Sequence, residues 1–177
     1  DAGKVDRLEV RAIGELFYAA YGSNPHVSEI GDYTWGFLRR NCLDSYNSII
    51  GDSTVTADGK SKQESEIKEW TDEGKRWYTL HPVPIAERGA GRTAETADEA
   101  YDYWTKTPGM SHPLMSGIFG DEFGPGWEKY YPAWIEALRR IHADPKFKDR
   151  KFYAYVPNRF WPIEESADNG QNYKVMF

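Results

Sequence analysis

The chain has 177 residues, enough for one domain with a substantial core and short for two. Acidic residues outnumber basic ones, 28 against 22, and the formal charge of -6 argues against a general nucleic-acid binder, which needs a positive face toward phosphates. No apolar run approaches the roughly 18 residues of a membrane helix, and the lone cysteine, Cys42, excludes an internal disulfide and a cysteine-rich metal site.

Cys42 lies in "FLRRNCLDSYN", where a free cysteine is expected in the core. The chain begins at Asp1 without a methionine or a signal-peptide pattern, as expected of a mature, processed or trimmed protein; a secreted or periplasmic origin is compatible with that. Aromatics are abundant: 7 Trp, 12 Tyr and 8 Phe exceed what a core of this size calls for, and the surplus near glycine- and proline-rich loops points to a surface that stacks on flat ligands such as sugar rings or bases.

In chain order, "LEVRAIGELFYAAY" (8–21) reads as a first strand, with a helix as the alternative. "YTWGFLRRNCLDSY" (33–46) reads as a helix and "NSIIG" (47–51) as a strand. "SKQESEIKEWTDEGK" (61–75) opens with a capping box, Ser61 with Glu64, and stops at Gly74; the strand "RWYTL" (76–80) follows. "TADEAYDYW" (96–104) has a second capping box, Thr96 with Glu99, and leads through the connection "TPGMSHP" to the strand "LMSGIFG" (114–120). In "EKYYPAWIEALRRIHADPKF" (128–147), Tyr131, Trp134, Ile135, Leu138 and Ile141 recur at helical spacing, Pro132 suits the first turn and Pro145 stops the helix. The strand "KFYAYV" (151–156) ends at Pro157. No hairpin signal joins two strand-like runs before "DNGQ" at 168–171.

A strand followed by four helix–strand units specifies a parallel sheet with helices packed on it. Residues 1–177 therefore read as a single (β/α) domain of the α/β class, a partial or truncated (β/α) barrel, one form of which is the N-terminal part of a larger barrel. The final "NYKVMF", read as a further strand, and the long polar loops after strands favour this over a five-stranded doubly wound open sheet.

Each strand hands polar residues to one end of the sheet: Asp52 after "NSIIG", His81 after "RWYTL", Asp121 and Glu122 after "SGIFG", and Tyr155, Asn158 and Arg159 around the last. In both architectures ligands bind at that end. Trp127 and Trp161 stand in or after the same loops as candidate stacking platforms. No H-E-x-x-H or comparable metal spacing occurs, and neither metal nor cofactor is expected. "ERGAGRTAET" (87–96) carries a Gly-x-Gly before a helix, a place for a phosphate, but lacks the third glycine and reads better as a flexible lid. His26, His112 and His142 read as structural.

The string "GDEF" resembles the signature of diguanylate cyclases, but Phe119 replaces its first glycine and "GPGW" stands where the return strand of that hairpin should run, so the resemblance is set aside. A carboxylate after the fourth strand instead resembles the (β/α)8-barrel glycoside hydrolases. That resemblance implies Glu122 as general acid/base, Asp121 as its neighbouring hydrogen-bond acceptor, and a nucleophile that is Asp52 or lies beyond Phe177. It also implies a carbohydrate ligand contacted by His81, Tyr155, Asn158, Trp127 and Trp161. The alternative is a non-catalytic carbohydrate-binding or assembly module, expected to form a homo-oligomer or join a larger assembly because an incomplete barrel exposes an edge strand.

Overall fold

The computed structural model describes residues 14–19, 26–29, 31–51, 59–124 and 126–156. Seven strands occur in them: β1 (Phe17–Ala19), β2 (His26–Val27), β3 (Gly31–Asp32), β4 (Ser48–Gly51), β5 (Arg76–Pro82), β6 (Gly117–Asp121) and β7 (Lys151–Ala154). Five α-helices accompany them: α1 (Trp35–Leu38), α2 (Glu64–Asp72), α3 (Ala97–Thr105), α4 (Pro108–Ser111) and α5 (Tyr131–Ala143). Among the described residues no helix is long and apolar enough to cross a membrane.

Five strands form one all-parallel sheet in the order β1-β4-β5-β6-β7. The fold is therefore α/β, as its alternating pattern predicts. Strands are laid down in chain order, without the reversal that defines a doubly wound sheet. The β2–β3 pair is antiparallel and separate, turning through Ser28 and Glu29 with Glu29 at φ 69. Its glycine, Gly31 at φ 95, stands at the start of β3 and not in an Asn-Gly or Asp-Gly pair, so the sequence pattern passes over it.

Register assigns the faces, because residues paired across a sheet point the same way and neighbours along a strand point oppositely. Ile49 pairs with Trp77, Thr79 with Ile118, and Ile118 with Phe152. Around the first pair gather Leu38, Leu43, Ile67, Trp70 and Met115. Around Ile118 and Phe152 gather Trp104, Trp134, Ile135 and Ile141. Every helix contributing to these clusters thus covers the same face of the sheet. Trp70, Trp77, Trp104 and Trp134 are fully buried there, and rings of this size remove roughly 150–250 Å² each from water. Two glycines allow the fit: a Cβ on Gly51 would collide with the Trp77 ring, and one on Gly109 would run into the Gly117 carbonyl.

The opposite face carries Phe17, Tyr78, Phe119 and Tyr153. The Phe17 ring lies 5.1 Å from both Phe119 and Tyr153, and Tyr78 lies 5.5 Å from Tyr153. β1 and β7 are the two edges, four strand spacings apart, roughly 19 Å in a flat sheet. Contact between their rings requires a sheet rolled around this face. Below the rings the Glu15 side chain, only 7 % exposed, accepts hydrogen bonds from Arg76 at 2.6 Å, Tyr78 at 2.9 Å, Lys151 at 2.9 Å and the Tyr153 hydroxyl.

Local chemistry explains most element boundaries. The Thr96–Glu99 box forms in both directions, with Glu99 N–H donating to Thr96 Oγ1 at 3.2 Å and Thr96 N–H to Glu99 Oε2 at 3.0 Å. The Ser61–Glu64 motif forms in part: Ser61 N–H donates to Glu64 Oε2 at 3.1 Å, but Ser61 Oγ accepts from Gln63 N–H, and α2 starts at Glu64, two residues later than a box at Ser61 would place it. "TPGMSHP" is more than a connection, since Pro108 starts α4 within it. Cys42 is exposed, contrary to expectation. It sits on a π-helical turn, Arg39–Leu43, whose i→i+5 winding puts Leu38 and Leu43 on one buried face and turns Cys42 outward. Of the first predicted strand, residues 17–19 are strand and 8–13 and 20–21 lie outside the described residues, as do "DNGQ" and "NYKVMF".

Candidate functional site

The C-terminal ends of β5, β6 and β7 converge around one turn. β6 ends at Asp121, after which Glu122 adopts φ 57, a left-handed conformation that non-glycine residues take at a cost. The turn is tied down on three sides: Val83 N–H donates to the Asp121 carbonyl at 3.3 Å, Phe123 N–H to the Tyr155 carbonyl at 2.9 Å, and Tyr155 N–H to the Gly120 carbonyl at 2.8 Å. Phe123 then plunges into the helix-side core between Trp104 and Trp134, and Tyr131 hydroxyl donates to the Gly124 carbonyl at 2.6 Å. Burying Phe123 and freeing the two preceding carboxylates are consequences of the same sharp bend.

Asp121 belongs to the rolled face, in line with Phe119. Its Oδ1 is shielded from solvent and has no hydrogen-bond partner among the described residues. Burial raises its pKa, and nearby Arg88 partly opposes the rise. A carboxyl whose ionised form is disfavoured in this way is suited to hold a proton and donate it. Glu122 is ion-paired with Arg88, which arrives from the 3-10 turn Ala86–Arg88 after β5, a turn closed by Gly89 at φ 86. Two adjacent carboxylates therefore stand in different surroundings, one desolvated and one against a guanidinium.

His81 pairs in register with Gly120 and so faces the helices, away from the face that carries Asp121. Burial lowers its pKa from 6.5 to about 4, and Nε2 is shielded, with no hydrogen-bond partner among the described residues. The imidazole is neutral at ordinary pH and lies on the far side of the sheet from the two carboxylates. Tyr155, just past β7, is 46 % exposed beside the Glu122 turn. Trp127 packs against the helix-side core, next to Tyr130, whose ring stacks on Trp134 at 5.9 Å. Asp52, Asn158 and Trp161 lie outside the described residues.

The loop of 87–96 is fastened rather than open. Trp134 Nε1 donates to the Ala94 carbonyl at 2.9 Å, Ala86 N–H to Thr93 Oγ1 at 3.1 Å, and Arg92 pairs with Asp102 at 2.9 Å. The start of α3 is filled by Glu99, whose Oε2 accepts from Glu95 N–H and Thr96 N–H, so a phosphate there would meet a carboxylate. Among the described residues no three His, Cys, Asp or Glu side chains converge to hold a metal. His112 is buried with Nε2 3.1 Å from Glu64 Oε2, joining the end of α4 to the start of α2.

Sequence reasoning missed two participants. Arg88 was visible as a basic residue in a strand-end loop, but its pairing with Glu122 was not. Glu15 carried one faint signal, an acid just before an apolar strand in a chain whose later strands β5 and β7 begin with Arg76 and Lys151.

These features define an α/β chain with a five-stranded parallel sheet, helices on one face, and a carboxylate pair at the C-terminal strand ends. No protein-family model matches the chain, and neither a curated protein nor a solved structure does so significantly.

Proposed function

We propose that the chain is a partial (β/α) barrel of glycoside-hydrolase type that takes a carbohydrate at the C-terminal ends of its strands. The observation that carries this reading is Asp121: a strand-end carboxyl on the rolled face, with its pKa raised by burial and Oδ1 without a hydrogen-bond partner among the described residues. Glycoside hydrolysis uses one carboxyl that donates a proton to the leaving oxygen and a second, ionised carboxylate about 5–10 Å away. Asp121 takes the acid role here, and Glu122 beside Arg88 is its charged neighbour, the reverse of the order the resemblance implies. Asp52, directly after the last residue of β4, is the candidate second carboxylate. The exposed Tyr155 ring offers a stacking surface beside the pair. The consecutive strand order, the helices on one face and the rolled opposite face support the barrel component.

A panel of aryl glycosides and oligosaccharides, assayed for turnover and for binding, tests the reading. Turnover by the wild type should vanish in Asp121→Asn while saccharide binding persists. Unchanged turnover in that variant sinks the assignment, and absence of any saccharide binding sinks the function. The second reading, a non-catalytic carbohydrate-binding or assembly module, is favoured by Arg88 occupying Glu122 and by the edges of β1 and β7, which have no further strand beside them among the described residues. Binding without turnover selects it.

A further inference from the structure

We infer that Glu15 is a proton-operated clasp: its carboxylate, held from β5 and β7, fastens the first strand of the sheet to the fifth, and protonation releases that closure. The inference does not depend on the proposed function. An ionised carboxylate only accepts hydrogen bonds and has about four lone-pair sites. Glu15 has four donors, Arg76, Tyr78 and Lys151 on Oε1 and the Tyr153 hydroxyl on Oε2. They come from sequence separations of 61 to 138 residues, so the group closes the sheet rather than decorating one strand.

Among the described residues, the charged and titratable groups facing it are Arg76 and Tyr78 from β5 and Lys151 and Tyr153 from β7. β4 and β6 bring Ser48 and Gly117 to the neighbouring register positions, and neither titrates. Protonating Glu15 removes the charge that Arg76 and Lys151 share and places a hydrogen where a lone pair was used. Burial by itself would raise the Glu15 pKa, but hydrogen bonds from Tyr153, Lys151 and Tyr78 outweigh it and the net shift is downward. The clasp is thus fully engaged above the ordinary carboxyl value of 4.5 and lost as pH falls through a lower folded-state value.

Release would be felt further along β7. Two residues past Tyr153, the Tyr155 backbone holds Gly120 and Phe123 on either side of the Asp121–Glu122 bend. Opening the edge strand would loosen that bend while the helix-side core stays packed.

Amide hydrogen exchange, corrected for its intrinsic pH dependence, tests this on the whole chain. In the wild type, exchange in 17–19 and 151–155 should rise by about tenfold or more once pH falls below the carboxyl range, with α3 and α5 still protected. Glu15→Gln should show the raised exchange already at neutral pH and no acid step. Tyr153→Phe keeps the carboxylate but removes one bond that lowers its pKa, so its step should move to higher pH; this variant decides the matter if Glu15→Gln does not fold. Wild-type protection in Glu15→Gln, a step that survives in it, an unmoved step in Tyr153→Phe, or simultaneous loss of protection in α3 and α5 would each overturn the clasp.

Discussion

Phe17 and Tyr153 hold their rings 5.1 Å apart, edge to face, from opposite edges of a single sheet. The contact fixes the curvature of the molecule, because no flat arrangement of five strands brings these two side chains together. Phe17→Ala should therefore cost about 3 kcal/mol, the low end for a buried Phe because the ring is half-buried. In a double-mutant cycle of Phe17→Leu with Tyr153→Leu, urea denaturation should give a coupling of about 0.5–1.5 kcal/mol. Strict additivity would mean that the rings do not touch in solution.

His81 makes stability depend on pH in a second window. Its folded-state pKa is lowered by burial from 6.5 to about 4, so the unfolded chain binds the proton first. Stability is intact above 6.5 and falls as pH drops toward 4, by at most about 3 kcal/mol. Urea midpoints measured across that range should slope downward for the wild type and flatten in His81→Leu. An unchanged slope would place the imidazole in contact with water.

Glu122 tests the bend that presents the carboxylates. Both Glu122→Gly and Glu122→Ala lose the pair with Arg88, but only glycine accepts φ 57 without a steric penalty. Glu122→Gly should be the more stable of the two by about 1 kcal/mol in thermal or chemical denaturation. Equal stabilities would argue against the left-handed bend.

Gly109 and Gly36 make a matched pair. A Cβ at Gly109 would run into the Gly117 carbonyl and into Ile118, so Gly109→Ala should destabilise by about 1–3 kcal/mol as α4 is forced off the sheet. At Gly36 the nearest atom is the flexible end of Arg40 at 3.6 Å, and alanine there should be neutral or stabilising by up to about 1 kcal/mol. Comparable losses at both positions would contradict the close approach of α4.

Much of the fold is legible from neighbouring residues alone. The 3.6-residue spacing of Trp134, Ile135, Leu138 and Ile141, with Pro145 beyond, places α5 because amphipathic periodicity and a missing N–H act within a few positions. The Thr96–Glu99 box likewise starts α3 by contacts three residues apart. Strand and helix alternation then requires a parallel sheet, since parallel neighbours need a crossover.

Local pattern is enough to order the five sheet strands and the helices α2, α3 and α5, to require parallel pairing, and to put His81 and Asp121 at strand ends, while the β2–β3 pair and α4 escape it. Only the tertiary structure decided how far the sheet rolls, and with it that Glu15 meets partners 61 to 138 residues away. Only register and the bend at Glu122 separated His81 from Asp121 and set Glu122 against Arg88. The reason is physical: local patterns record contacts within a turn or a pleat. Curvature, pairing partners and desolvation come from many distant side chains packed at once.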